Sequence, residues 1–423
     1  MNRANRPRLS RISGSSYASK LMSRAGDGST LTLDFTTGSL DSRLIFTRAS
    51  ANATFINVSG VLTSAGTDIA RFDHDPSSLA LKGLLVEGTA TNICLNGSMA
   101  YTSTSPTSWA RGFSQCNVSS VSSTTFPGQK AWSIAASAIS QRDYLEQTIA
   151  LAANTTYIIS VYLEAVTGTT ATFAYMTSLP SGASSNTIAN PSSAGRLSFT
   201  VTVGATAGNG ALRIGIGTAV GTGVSADASV RFSHVQVETG AIASSYILTS
   251  TTTETRAADF CRMTGTNFSS WYQGGTQGTF YADWFGGVRA GASGSTNRTV
   301  LSTDDVSTKH LHFLQTAAAG NLRVADFGGT NNVTTANTLT SGARTKGAFG
   351  YNGSSASVCL NGGTVATGSS LAFSVAPTWL VIGATSTDGT SLTDANVVLN
   401  NSIRQIKYWP TRLADGTLQG LTT

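Results

Sequence analysis

Residues 30–35, Thr-Leu-Thr-Leu-Asp-Phe, alternate polar and apolar side chains, and the same two-residue period returns in short segments along most of the chain. That period places successive side chains on opposite faces of an extended backbone, so it dictates strands buried on one face. Gly, Ser and Asn separate the segments and supply the turn conformations that reverse the chain. Only 11% of the residues are charged while 40% are hydrophobic. Ser and Thr therefore hydrate the outward strand positions that charges occupy in an ordinary domain of about 25% charged residues. No heptad pattern predicts a long coiled coil.

Segments at 30–35, 44–46, 53–56, 61–62 and 84–88 form a first group. It is too small for a strong core, so residues 29–91 are expected to be a small β adaptor packed on something else. Asp75-Pro76 reads 71–76 as an exposed turn. From 92 to 249, segments at 131–135, 144–149, 156–165, 170–175, 195–203, 212–216 and 230–237 predict an antiparallel sandwich, with Trp109, Trp132, Tyr144 and Phe199 as core anchors. The Ser/Thr-rich stretch 250–255 marks a joint. Beyond it, 278–285, 299–302, 310–315, 322–327, 345–351, 356–360, 379–382 and 403–409 predict a second sandwich over 250–423, with a short helix near 413–421. Asn361-Gly362-Gly363 suits a hairpin turn, because Asn and Gly accept positive φ.

The charge is uneven. Arg3, Arg6, Arg8, Arg11, Lys20 and Arg24 lie in the first 26 residues with no acid, and the 21 other basic residues match the 21 acids. Residues 1–28 are therefore expected to be an anchoring arm that docks on another protein. Without aromatic interleaving or a basic groove in the body, nucleic acid is the weaker partner. No apolar stretch before residue 30 suits a signal peptide, and no run of 18 apolar residues suits a membrane span. Cys94, Cys116, Cys261 and Cys359 lack metal-site spacing. Buried free thiols are expected, with Cys94–Cys116 the one short-range pair able to bridge.

Three patterns carry a family resemblance. Residues 71–92 (RFDHDPSSLALKGLLVEGTATN) resemble a linker of phage tail and virion proteins. Residues 232–253 (FSHVQVETGAIASSYILTSTTT) resemble the last strand and exit of the carbohydrate-binding-module-like jelly rolls found in them. Arg256-Ala-Ala-Asp259, Phe268-Ser-Ser-Trp-Tyr272 and Ile406-Lys-Tyr-Trp-Pro-Thr-Arg-Leu413 resemble pieces of a laminin-G/concanavalin-A-like sandwich. The resemblance implies an all-β fold of tandem antiparallel β-sandwiches, jelly roll then laminin-G-like, behind an extended arm. It further implies an external component of a bacteriophage particle, such as a tail fibre. Such proteins are oligomeric, often homotrimers, are held to other virion proteins by the N-terminus, and attach to host-surface glycan. A purely architectural decoration, head-fibre or tail role is the alternative, and a surface polysaccharide depolymerase the third reading.

Glycan binding needs ring faces for sugar C–H groups and polar side chains for hydroxyls. Trp284, Tyr351 and Asn352 are the candidates, while Trp271, Tyr272 and Trp379 read as core. A depolymerase needs two carboxylates flanking the scissile bond; Asp143 and Glu146, or Asp304 and Asp305, are near enough in sequence, but nothing marks either pair, and no catalytic residue is assigned. Calcium can bind loop oxygens, and Asp304, Asp305, Asp388 and Asp394 are loop acids. Solvated turns are the favoured reading of them, so no metal or other cofactor is assigned. His234, His310 and His312 form no metal motif.

Overall fold

A computed structural model describes residues 26–98, 107–219, 223–272, 277–286, 297–304, 310–316, 320–327, 331–340, 342–369, 371, 377–393 and 397–423. The anchoring residues Arg3, Arg6, Arg8, Arg11, Lys20 and Arg24 lie outside them.

The molecule is all-β, and its described residues form two antiparallel sandwiches with separate cores. The first pairs an eight-stranded sheet with a seven-stranded one. At the centre of the eight-stranded sheet lies Asn401–Trp409, hydrogen-bonded to Gly278–Phe285 on one side. On the other side it pairs with Leu81–Val86 and with Leu31–Asp34, in the registers Ile403↔Leu84 and Leu31↔Tyr408. The seven-stranded sheet begins with Ile45–Thr47 paired to Phe260–Thr264. Leu31, Leu33, Phe46, Leu84 and Val86 thus share one core with Trp284, Phe313, Phe349 and Ile406.

This pairing corrects the expected division of the chain. Residues 29–91 are not an adaptor beside the last sandwich; Leu31–Asp34, Arg71–His74 and Leu81–Val86 join one of its sheets and Ile45–Thr47 the other, while Ala53–Ile56 and Leu62–Ala65 form a two-stranded sheet of their own. Alone they bury too little apolar surface to offset chain entropy, and the missing core comes from the other end of the chain.

The second sandwich, of six and five strands, is inserted into the first rather than preceding it. Its connections run side by side: Ala90–Asn92 pairs with Glu254–Arg256 as a two-stranded ribbon. Thr156–Thr167 sits inside the six-stranded sheet between Gly195–Thr202 and Ser229–Thr239. Its apolar run Tyr157-Ile-Ile-Ser-Val is buried throughout, as a strand covered on both faces requires. Asp143–Leu151, by contrast, ends in strict alternation of buried and exposed residues, with its inward Leu145, Ile149 and Leu151 in the core. All four expected anchors, Trp109, Trp132, Tyr144 and Phe199, are buried.

Two local features need glycine or a helix. Gly83 has φ +116°, and a Cβ there would lie 2.1 Å from the Ile403 carbonyl oxygen. It marks an irregular register between Arg71–His74 and Leu81–Val86. Asp415–Thr422 is helical, as expected, and buries Leu418 against Tyr281, Ala348, Cys359 and Trp409 on the outer face of the eight-stranded sheet.

Candidate functional site

Where the inserted sandwich meets the first one, five charged side chains are sealed from solvent. Arg71 begins the strand Arg71–His74 and is fully buried, which corrects the exposed turn expected at 71–76. The turn begins later, where Asp75 Oδ1 accepts hydrogen bonds from the backbone amides of Ser77 and Ser78. The Arg71 guanidinium lies 2.8 Å from Glu87 Oε2 and also pairs with Asp259. Asp259 meets Arg48 at 3.1 Å, and Glu87 meets Arg256 at 3.1 Å.

Burial of such charges is tolerated when they are paired and hydrogen-bonded, and here only the Nε groups of Arg71 and Arg256 are without a partner. Glu87 also accepts from the Ser245 amide at 2.5 Å and the Ser245 hydroxyl at 2.6 Å, both from the inserted sandwich's exit loop. Arg256 donates to the Gly88 carbonyl at 2.6 Å and to the Ser245 hydroxyl at 3.0 Å. Burial by itself would raise the Glu87 carboxyl, but Arg256, Arg71 and Ser245 outweigh it and hold the group down to about 2. The family-like motifs at 71–92 and 256–259 therefore carry the junction between the sandwiches.

In front of this cluster opens a cleft of about 370 Å³. One wall comes from the N-terminal strands, with Phe55, Ile56, Leu62, Asp73 and Lys82. The second is Tyr162, Arg196 and 242–246 of the inserted sandwich; the third is Asn400 with Asn401 and Ser402, the start of the last strand. Asp73 accepts from the Ile56 amide at 2.8 Å and lies 3.4 Å from the Lys82 amine. Burial pushes its carboxyl above the usual range although Lys82 pulls it down. Arg196 donates to the Ser244 carbonyl at 2.7 Å and to the Ser160 hydroxyl at 2.9 Å. Asn400 Oδ1 accepts from the Gly88 amide at 2.7 Å, and Asn401 Oδ1 from the Ser402 amide at 2.9 Å. Both asparagines line the cleft. Mixed apolar faces and fixed polar groups are the makings of a small-ligand site.

The candidates chosen from sequence lie elsewhere. Trp284 and Tyr351 are wholly buried, Trp284 against Phe313 and Tyr351 against Tyr272, so their ring faces meet side chains and no ligand. Asn352 Oδ1 accepts from the amides of Ser354 and Ser355 and shapes a hairpin turn. Trp271, Tyr272 and Trp379 are core residues, as read. Nothing in the sequence marks Lys82, Arg196 and Asn401 as neighbours, because three distant strands bring them together.

Asp143 pairs with Arg111 at 2.5 Å and Glu146 with Arg213 at 2.5 Å. Three residues apart on one strand, these acids point to opposite faces. Asp304 is buried and accepts from the Ser302 hydroxyl, and Asp388 holds its own turn through the Thr390 and Ser391 amides. Asp305 and Asp394 lie outside the described residues. Among the described residues no three metal-ligating side chains converge. His234 is buried between Phe126 and Tyr246 and kept neutral, its pKa pushed to about 3 by burial and by Arg196. His310 and His312 share the strand His310–Gln315. The four cysteines are buried free thiols, Cys94 and Cys116 included.

No protein-family model matches the chain, and neither does any curated protein. Solved structures with similar stretches include domain 4 of AbnA, a GH43 extracellular arabinanase from Geobacillus stearothermophilus, in complex with arabinotriose. It shows 11% identity and a TM-score of 0.29, over 39% of this chain and 73% of that one. The botulinum neurotoxin serotype C1 binding domain shows 11% identity and a TM-score of 0.27, over 39% of this chain and 41% of that domain. Mouse laminin alpha1 domains LG4-5 show 8% identity and a TM-score of 0.25, over 64% and 88%. Likenesses this distant carry no argument about what the chain does.

Proposed function

We propose that this protein is an attachment protein displayed on a phage particle, and that it holds a host-surface glycan in the cleft between its two sandwiches. The observation that carries the reading is the cleft itself. Rigid walls from three chain segments meet there and set hydroxyl, amide and carboxylate groups beside Phe55, Leu62 and Tyr162. Sugars present hydroxyls at their edges and C–H groups on their faces, and such a lining matches both. The low-charge surface and the family-like motifs support the particle assignment, with the N-terminal arm as anchor and homotrimeric assembly as the expected display form.

Glycan-array binding of the full chain, followed by calorimetric titration of the hits, tests the attachment reading. Saturable binding is expected. Absence of binding to any glycan refutes it and leaves a purely architectural role. Removing residues 1–26 tests the anchor separately: the truncated chain is expected to be missing from assembled particles, and normal incorporation refutes anchoring.

A further inference from the structure

The charges of the cleft assign its ligand class, an inference that rests on the glycan reading above. Two cations, Lys82 and Arg196, line the cleft beside three acids, Asp73, Asp75 and Glu87, and both cations already have protein partners. Lys82 lies 3.4 Å from Asp73. Both terminal nitrogens of Arg196 donate within the inserted sandwich, to Ser244 and Ser160. The carboxylate of Glu87 is matched from behind by Arg71 and Arg256 and filled in front by Ser245. An anionic sugar would have to compete with Asp73 for Lys82, or with the Ser244 carbonyl and the Ser160 hydroxyl for Arg196, and would face the Asp75 carboxylate.

The groups left to a ligand are of another kind. Asp75 uses Oδ1 for its turn, so Oδ2 is free to accept. The side-chain amides of Asn400 and Asn401 use their oxygens, so their NH2 groups are free to donate. Acceptors and donors fixed by backbone hydrogen bonds suit vicinal hydroxyls.

We propose that the cleft selects an uncharged, polyhydroxylated saccharide, a neutral hexose or N-acetylhexosamine oligosaccharide, over uronic, sialylated or sulfated sugars. Calorimetric titration of the full chain with three sets of oligosaccharides, neutral, anionic and cationic, tests this. Neutral binding is expected, with affinity changing by less than about twofold between 50 and 500 mM salt, because no ion pair forms that salt could screen. Asn401→Ala is expected to weaken it about 3- to 10-fold, the value of one hydrogen bond. Asn401→Asp keeps the shape and the acceptor to Ser402 while replacing the donor, and is expected to weaken binding at least as much. Thermal melting of both variants reports whether folding is intact. Preference for an anionic or cationic set, steep salt dependence, or wild-type affinity in both folded variants overturns the inference while the glycan reading stands. Binding by none of the three sets removes both.

Discussion

Glu87→Gln isolates the contribution of the buried junction, because it removes one charge with almost no change of shape. In the native protein Glu87 is matched to Arg71 and Arg256, and Asp259 is matched to Arg71 and Arg48. The substitution leaves three buried guanidinium groups facing one carboxylate. Breaking a buried pair by removing one partner costs about 3–5 kcal/mol, and the Ser245 amide bond, which a glutamine oxygen in the Oε1 position can still accept, favours the lower end. Linkage gives a second route to the magnitude. The carboxyl is held at about 2 against an ordinary 4.5, which corresponds to about 3 kcal/mol. Its folded-state pKa is depressed, so this stability is fully present above pH 4.5. It is lost as pH falls through the folded value near 2.

Urea unfolding at pH 7, with hydrogen exchange followed at the ribbon Ala90–Asn92 and Glu254–Arg256, should show a loss of about 3 kcal/mol in Glu87→Gln. Repeated between pH 5 and 2.5, the wild type should lose stability faster than the variant. As a control, Arg43→Ala breaks the half-exposed pair with Asp41 and should change little, under about 1 kcal/mol. A loss below about 1 kcal/mol in Glu87→Gln, or equal acid sensitivity of the two proteins, would refute the assignment of the junction to charge pairing.

Gly83→Ala drives a methyl into the Ile403 carbonyl at a positive φ, so unfolding measurements should show a cost of at least about 1–3 kcal/mol. Trp284→Ala empties a core site and should cost about 3–5 kcal/mol in the same experiment. Glycan affinity per folded molecule should be unchanged; a selective loss of binding would restore Trp284 as a ligand residue. Burial raises the Cys116 thiol to about 11 and raises Cys94 and Cys261 further. A thiol reagent at pH 8 should therefore label these cysteines slowly in the native protein and quickly in denaturant, and fast native labelling would contradict the packing.

The candidate site was almost illegible beforehand, for reasons visible at single residues. A search for glycan contacts favours aromatic side chains beside turns, and Trp284 and Tyr351 fit that description while lying wholly inside the first core. Arg71 reads as a surface charge because a lone guanidinium is costly to bury. It is buried here only because Glu87 and Asp259, 16 and 188 positions away, neutralise it. The cleft gathers Lys82, Arg196 and Asn401 from three segments whose contact no local pattern encodes.

Strand identity, by contrast, is a local property, and the sequence alone determined it. The segments 53–56, 278–285, 310–315 and 379–382 are strands with the limits that their apolar patterning predicts. Turn chemistry at Asn361-Gly362, where both φ angles are positive, was equally readable. What tertiary structure decided was partnership. Leu31 pairs with Tyr408 across nearly the whole chain, which turns an apparent adaptor into sheet and an apparent tandem into a nested pair. Strand pairing is set by which faces bury together, and burial depends on residues far away in sequence.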